Sequence, residues 1–510
     1  MENNTNSNLK NSLWNLVGGG APIIIGFLSI PFAIKGLGKD GFGILTIAWI
    51  VLGYFGLFDL GFSQATTKFS SEHLANGDKK KFSSVFWVSF ITSFGMGLIG
   101  TIVLTSLSPI IVNKLLKIPA NLTDDAKLTF IILGLALPFI ISSTSLKGLI
   151  AASHRFDVIN KIQMPSNIMT YIIPCLSYFI GYKLSTVIIL IVIMRIIIFL
   201  VYLYFCFSLY PFIKNDRRFD KVVFKSMISF GGWISTSNLL SPLLVYLDRF
   251  LIGSLVSISS VAFYTAPYEL IIRTRLFPNS IMETLFPRFS AASANNDLVT
   301  KSKLFSDSLK YVTLIMGLVT VFFLNYSSYI LNIWLGAEFS LTSTKLLEVL
   351  AVGVFFNGIA TVPFFYLQAT GKPDVPAKLH AIELLIFGVM FYFLIKYFGL
   401  IGAAITWSSR AFFDCIALFY ITIKKEKTLL SREKLNEYTL LITIVVIFSV
   451  TAILAQLLNI NIYFHILVGA VIFMCMTFTL WKFVLDQEEK SFIKDKLNLF
   501  LVKLKLSESR

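Results

Sequence analysis

Charge is scarce in this sequence. Only 14% of its 510 residues are Asp, Glu, Lys or Arg, where a soluble protein carries about 25%. Proline is sparse as well, 15 residues beside 49 phenylalanines, so little interrupts long apolar helices. The four cysteines, Cys175, Cys206, Cys415 and Cys475, all lie inside apolar runs, which gives no support to a disulfide framework or a zinc site. No G-x-x-x-x-G-K-[ST] phosphate loop occurs, so the chain brings no ATPase of its own. The first apolar run lacks a short apolar core closed by a small-residue cleavage site and reads as a retained helix.

What the sequence has in quantity is apolar surface. It is 56% hydrophobic, with a mean hydropathy of +0.77, and apolar stretches of 18 or more residues recur along it. The expected fold is an all-α polytopic membrane protein with fourteen transmembrane helices. They fall near 12–37, 42–66, 83–108, 127–151, 162–182, 184–209, 226–253, 257–287, 309–332, 345–369, 375–398, 400–423, 436–458 and 462–484.

The net charge of +16 suggests nucleic acid until its distribution is considered. With the N-terminus inside, the inner segments collect the basic clusters: Lys79 to Lys81, then Lys214, Arg217, Arg218, Lys221 and Lys225, then Arg288, Lys301, Lys303 and Lys310, then Lys424, Lys425, Lys427, Arg432 and Lys434. The outer loops hold only scattered lysines, among them Lys35, Lys114, Lys183 and Lys396. This is the positive-inside pattern. It predicts two cytoplasmic termini and basic residues set against anionic lipid, with no nucleic-acid partner. No outer loop is long enough to form a catalytic headpiece. The tail, Lys490 to Arg510, places Ile493, Leu497, Phe500, Leu501 and Leu504 on one helical face and reads as an interfacial amphipathic helix.

The chain also resembles itself. "TKFSSEHLANGDKKKF" (Thr67–Phe82) corresponds to "PRFSAASANNDLVTKSKLF" (Pro287–Phe305), and "AASHRFDVINKIQ" (Ala151–Gln163) to "QATGKPDVPAKLH" (Gln368–His380). Both pairs are about 220 residues apart, and Arg195 and Arg410 share nearly that offset. The expected organisation is two parallel six-helix copies, 1–215 and 216–425, followed by 426–510 with two further helices and the tail. A cavity between two such lobes suggests alternating access by rocking.

One stretch mimics an enzyme. "KGLGKDGFG" (Lys35–Gly43) spaces Gly36, Gly38 and Gly41 as G-x-G-x-x-G, with Asp59 downstream. A dinucleotide loop needs a strand before it and a helix after it. Here apolar helices flank both sides, so the glycines read as an outer helix–helix turn, and no cofactor is expected.

That turn has a more specific likeness. A helix entering with "PFAI", then "GLGKDGFGIL", then "LFDLGFSQATTKF", resembles the polysaccharide (O-antigen, Wzx-type) flippases of the multidrug/oligosaccharidyl-lipid/polysaccharide exporter superfamily. "YLDRFLIGSLVSISSVAFYTAPYEL" followed by "LFPRFS" (Tyr246–Ser290) resembles it too, and the likeness extends over residues 10–425. The resemblance implies two six-helix bundles forming a V. It implies a cargo of undecaprenyl-pyrophosphate-linked oligosaccharide, carried from the inner to the outer leaflet of a bacterial cytoplasmic membrane, with H+ or Na+ coupling in some members and a polysaccharide polymerase as a downstream partner. The same superfamily supplies two alternatives, a flippase of the peptidoglycan lipid precursor and a multidrug antiporter. An enzyme such as a polymerase or ligase is disfavoured by the short outer loops.

Ionisable residues inside spans cost about 2.5–3.5 kcal/mol each on insertion scales and are functional candidates by default. The candidates for a pyrophosphate headgroup are Arg273, Arg275, Arg195 and Arg410, because a guanidinium fork binds two oxygens at once and stays charged. The candidates for gating or ion coupling are Asp59, Asp248, Arg249, Glu269 and Glu283. On a continuous helix Glu269, Arg273, Arg275, Asn279 and Glu283 fall within about 160° of one another and are expected to line the cavity. Two bland readings stand beside these. Glu269 with Arg273, and Arg410 with Asp414, are i, i+4 partners that can simply neutralise each other. Lys147 and Glu348, near span ends, can snorkel. His380 and Glu383 sit one turn apart but read as a membrane-surface polar cluster, so no metal is expected. The intramembrane charges are mixed in sign, which argues against a plainly cationic tunnel.

Overall fold

Apolar composition leaves the backbone no polar partner but itself, so the chain saturates its hydrogen bonds within helices. The computed structural model describes residues 2–57, 61–153, 155–426, 429–457, 462–485, 487 and 489–491, with the side chains of 2–23, 54–57, 156, 231–246, 432–433, 457, 462 and 465 left aside. In chain order the helices are α1 (Glu2–Leu57), α2 (Phe62–Ala75), α3 (Lys79–Ile110), α4 (Thr123–Ala152), α5 (Phe156–Ile180), α6 (Leu184–Leu209), α7 (Lys221–Leu255), α8 (Ile258–Ile272), α9 (Leu276–Ala294), α10 (Leu298–Leu335), α11 (Ala337–Ala369), α12 (Asp374–Lys425), α13 (Arg432–Leu457) and α14 (Ile462–Phe483). No strand occurs among the described residues. Nine helical segments among them are long and apolar enough to cross a membrane. The protein is therefore an all-helical, multi-pass membrane protein. Asp59 and the amphipathic stretch of the tail lie outside the described residues.

Two compact units divide the chain, one of Met1–Leu270 with His380–Ala403, the other of Ile271–Leu379 with Ala404–Arg510. In the first, α3, α4, α5 and α6 are fixed by one apolar cluster. It contains Phe82 and Phe86 of α3, Leu146 and Leu149 of α4, Ile159 and Ile162 of α5, and Phe199 and Tyr202 of α6. A second cluster sets the start of α7 on α2 and α3 through Met227, Phe62, Ala65, Val85 and Val88. Small polar side chains add directional contacts where lipid supplies no hydrophobic drive between helices. Ser63, Thr67 and Ser71, one turn apart on α2, donate to the carbonyls of Thr144, Gly148 and Ala152 on α4 at 3.0, 3.0 and 3.2 Å.

The G-x-G-x-x-G stretch lies within α1, where each glycine has its own reason. Gly38 has φ 72° and ψ 169° and breaks the helix, a conformation that side chains with a Cβ rarely adopt. Gly36 lies against α5 so closely that a Cβ there would fall on Ser177 Oγ and the backbone nitrogen of Tyr178. Gly36→Leu is expected to separate α1 from α5 and cut the yield of folded protein in detergent, whereas Gly41→Ala, whose Cβ would meet only Leu37 Cβ at 3.1 Å, is expected to keep it. Size-exclusion recovery of the two variants checks this.

Two helix junctions share the same local backbone geometry. At the α2–α3 junction Gly77 has φ 68°, Asp78 N–H bonds the carbonyl of His73 at 2.9 Å, and the Asp78 carboxylate accepts from the N–H of Lys81 at 3.0 Å. At the α9–α10 junction Asn296 has φ 52°, Asp297 N–H bonds the carbonyl of Ala292 at 2.9 Å, and the Asp297 carboxylate accepts from the N–H of Thr300 at 3.0 Å. Both are helix caps. The Lys81 N–H lowers the pKa of Asp78, and the Thr300 hydroxyl and N–H lower that of Asp297, from an ordinary 3.8. A depressed carboxylate stabilises the fold above its ordinary pKa and loses that contribution as pH falls through the lowered value. Asp78→Ala and Asp297→Ala are each expected to lower the thermal midpoint at pH 7. Asp→Asn, which still caps, is expected to cost little, and its small deficit should shrink below pH 3.8 and vanish once the pH is under the lowered value.

The second unit is built on the α10–α11 hairpin. Phe289 of α9 and Phe305 of α10 both meet Tyr366 of α11 edge-on, at 5.5 and 5.4 Å between centroids. Buried lysines are paired. Lys301 lies 3.3 Å from Glu426, which also bonds the Tyr366 hydroxyl. Lys310 lies 2.6 Å from Glu489, which takes the Tyr311 hydroxyl at 2.7 Å. These contacts tie α10, α11, the end of α12 and the segment after α14 into one body.

Candidate functional site

Five helices of the first unit each turn one face toward a common cavity of about 510 Å³. The spacings are helical throughout. From α1 come Thr46, Trp49, Ile50 and Gly53, from α4 Ser143, Thr144 and Lys147, from α5 Gln163, Ser166 and Thr170, from α6 Arg195, Ile198 and Tyr202, and from α8 Thr265 and Glu269; Arg249 of α7 also reaches the wall. Tyr202 belongs to both the cavity wall and the apolar cluster behind it, so the packing that joins α3, α4, α5 and α6 also positions the lining.

The cavity has a basic wall. Lys147 donates to Gln163 Oε1 at 2.8 Å, and Arg195 donates through Nη1 to Ser166 Oγ at 3.3 Å. Gln163 and Ser166 are three residues apart on α5, so one helical turn presents both cations together. Neither has a carboxylate partner among the described residues, and Arg195 Nε has no hydrogen-bond partner among them. Two charges at membrane depth, held only by neutral side chains, are costly to keep unless an anion completes them. The polar acceptors fix where the cations sit and leave their charge uncancelled.

Arg249 behaves differently. Its guanidinium is 3.4 Å from Glu269 and 4.0 Å from Asp248, and it lies over the Tyr268 ring at 4.4 Å from the centroid. Its side chain is only 3% exposed and that of Asp248 is fully buried. This is a closed ionic cluster among α7 and α8.

The sequence expectations meet the structure unevenly. Arg195, Arg249 and Glu269 lie on the cavity, and Asp248 is buried next to Arg249. The expectation of one continuous polar face from Glu269 to Glu283 does not hold. A three-ten turn over Arg273–Arg275 separates α8 from α9. Its tighter winding breaks the 100° phase on which the common face relied. Arg273 and Arg275 belong with α9 to the second unit, where Glu283 is exposed. Arg410 and Asp414, also in the second unit, are buried one turn apart on α12. Asp59 lies outside the described residues.

Its place near a span end would let Lys147 snorkel, but in the structure it turns inward to Gln163. Its partners were readable in principle, since Gln163, Ser166 and Thr170 repeat at i, i+3, i+7. The mixed signs along the sequence also misled. The lining has three basic residues and one acidic one, because many of the other charges lie in helices that do not reach this cavity.

Helices around a cationic cavity define the class to which this protein belongs, a multi-pass membrane protein with a transporter fold. A solved structure described as "Lipid II flippase MurJ, inward closed conformation" has a TM-score of 0.72 at 16% identity, covering 92% of this chain and 99% of that one. An inward-facing multidrug resistance MATE family transporter of the MOP superfamily has a TM-score of 0.70 at 14% identity, covering 80% of this chain and 95% of that one. At these identities the likeness concerns the fold alone. The family is fixed by sequence. Residues 8–293 match the family described as "Polysaccharide biosynthesis protein". A Shigella flexneri protein named "Putative O-antigen transporter" is 33% identical over 421 residues, which is 81% of this chain and 97% of that protein. The chain belongs to this polysaccharide biosynthesis family, whose members resemble transporters rather than catalysts.

Proposed function

We propose that this protein is a flippase that carries a polyprenyl-pyrophosphate-linked oligosaccharide unit from the inner to the outer leaflet of a bacterial cytoplasmic membrane, for assembly of a surface polysaccharide. The observation that carries this reading is the pair Lys147 and Arg195, two cations without a carboxylate partner facing one membrane cavity. A diphosphate suits them. Its oxygens can accept from the Arg195 fork and from the Lys147 ammonium together, and charge-assisted bonds of this kind are the strong ones. The polyprenyl tail needs no protein site, because lipid already solvates it.

The reading includes a fourteen-helix chain with two six-helix lobes, 1–215 and 216–425, two added helices, and both termini in the cytoplasm, as the basic inner loops support. It includes alternating access and coupling to H+ or Na+, with Asp59 and Glu283 as the carboxylates to test first. Arg273, Arg275 and Arg410 are proposed as candidates for binding the headgroup. The closed ionic cluster of Asp248, Arg249 and Glu269 is proposed to hold α7 against α8. A small cationic drug is disfavoured as cargo by the sign of the cavity. The peptidoglycan lipid precursor shares the diphosphate and remains the alternative substrate. Reconstituted protein given fluorescent lipid-linked cargo of both kinds separates them: faster flipping of the oligosaccharide lipid supports the proposal, and flipping of the peptidoglycan precursor alone rejects it.

A further inference from the structure

Beside the basic wall, the cavity carries a feature that a pyrophosphate does not use. Trp49 of α1 and Tyr171 of α5 both line it and meet edge-on, with centroids 5.5 Å apart and planes 67° apart. Phe42 backs Trp49 from within α1, at 6.0 Å and 87°. Trp49 Nε1 is withdrawn from solvent and has no hydrogen-bond partner among the described residues. A buried indole N–H normally finds one, and an orphaned donor in a native structure calls for an explanation. The same cavity is also lined by hydroxyl side chains, Thr46, Ser143 and Thr170 among them.

We propose that the Trp49–Tyr171 corner is a sugar subsite, which takes the pyranose ring attached to the pyrophosphate while Lys147 and Arg195 hold the diphosphate itself. This rests on the flippase reading above and deepens it. A pyranose has one face of C–H bonds and a rim of hydroxyls. An aromatic corner covers the first, and an unsatisfied indole N–H donates to the second. At about 510 Å³ the cavity is of ordinary size for small-molecule sites, which run from about 300 to 1,000 Å³. It suits a headgroup and its first sugar, with the rest of the oligosaccharide outside it. Trp49 would then set a requirement for a sugar without choosing among hexoses.

The test uses the purified full-length protein and three probes, farnesyl pyrophosphate and its glucosyl and galactosyl esters, with binding measured by calorimetry. Wild type is expected to bind either sugar ester about 5–10-fold more tightly than the bare lipid, the gain of one hydrogen bond and the ring contact. Trp49→Phe, which keeps a ring but lacks the N–H, is expected to lose part of that gain, and Trp49→Leu all of it. Arg195→Gln is expected to weaken all three probes. Equal binding of the three probes by wild type, or a full sugar gain in both Trp49 variants, would overturn the subsite and leave the pyrophosphate reading intact. Failure of wild type to bind any probe would overturn the flippase reading, and the subsite with it.

Discussion

Arg195→Gln combined with Lys147→Gln is expected to abolish outward flipping while the protein still reaches the membrane at normal levels. Each side chain is bonded to a neutral partner, Ser166 and Gln163 respectively, so glutamine leaves no buried carboxylate behind. The fold therefore loses little. The cargo loses two charge-assisted contacts, worth about 1.5–3 kcal/mol each, and every 1.4 kcal/mol is about tenfold in affinity. The single variants are expected to fall about ten- to hundredfold. Arg195→Lys is expected to recover part of the loss, since it keeps the charge and loses the fork. The check is initial flipping rate in proteoliposomes, set against reconstituted protein by quantitative blot.

Arg249→Met is expected to fail in the opposite manner. Removing this guanidinium takes the nearest counter-charge from Asp248, which is fully buried, and from Glu269. Breaking a buried pair by deleting one member costs about 3–5 kcal/mol, because the other charge stays desolvated. The prediction is low yield and aggregation at the detergent step, with any surviving protein still binding pyrophosphate lipid. Replacing all three partners together, Asp248→Asn, Arg249→Met and Glu269→Gln, is expected to recover much of the yield. Fluorescence-detected size exclusion distinguishes these outcomes. Normal yield of the single variant, with flipping lost, would instead place Arg249 among the cargo contacts.

The contrast between Arg195 and Arg249 marks what could be read in the sequence. Apolar length placed helices along the described residues, since helix formation follows from the bilayer acting on single segments. The sequence likeness between the α2–α3 and α9–α10 junctions has a local counterpart, since Asp78 and Asp297 both cap the helix that follows. Arg195 and Arg249 both appeared as arginines in apolar runs. Nothing along the chain distinguished one that bonds a serine hydroxyl from one enclosed by carboxylates, because that depends on which helices are neighbours. Lys147 was misjudged for the same reason. Trp49 gave no signal at all, since an indole in a membrane helix is ordinary until its N–H is found without a partner. The polar face projected from Glu269 to Glu283 failed on local winding, as three residues in a tighter turn suffice to rotate everything after them.

The central claim is that this chain moves a pyrophosphate-linked glycan lipid between leaflets, and the direct measurement is leaflet-resolved labelling of that lipid in a strain lacking the gene. The account predicts that the lipid-linked glycan accumulates on the inner leaflet, that the intact gene restores its outward delivery, and that the Lys147→Gln, Arg195→Gln variant does not. Normal appearance of the glycan on the outer leaflet of the deletion strain, with no other flippase present, would contradict it.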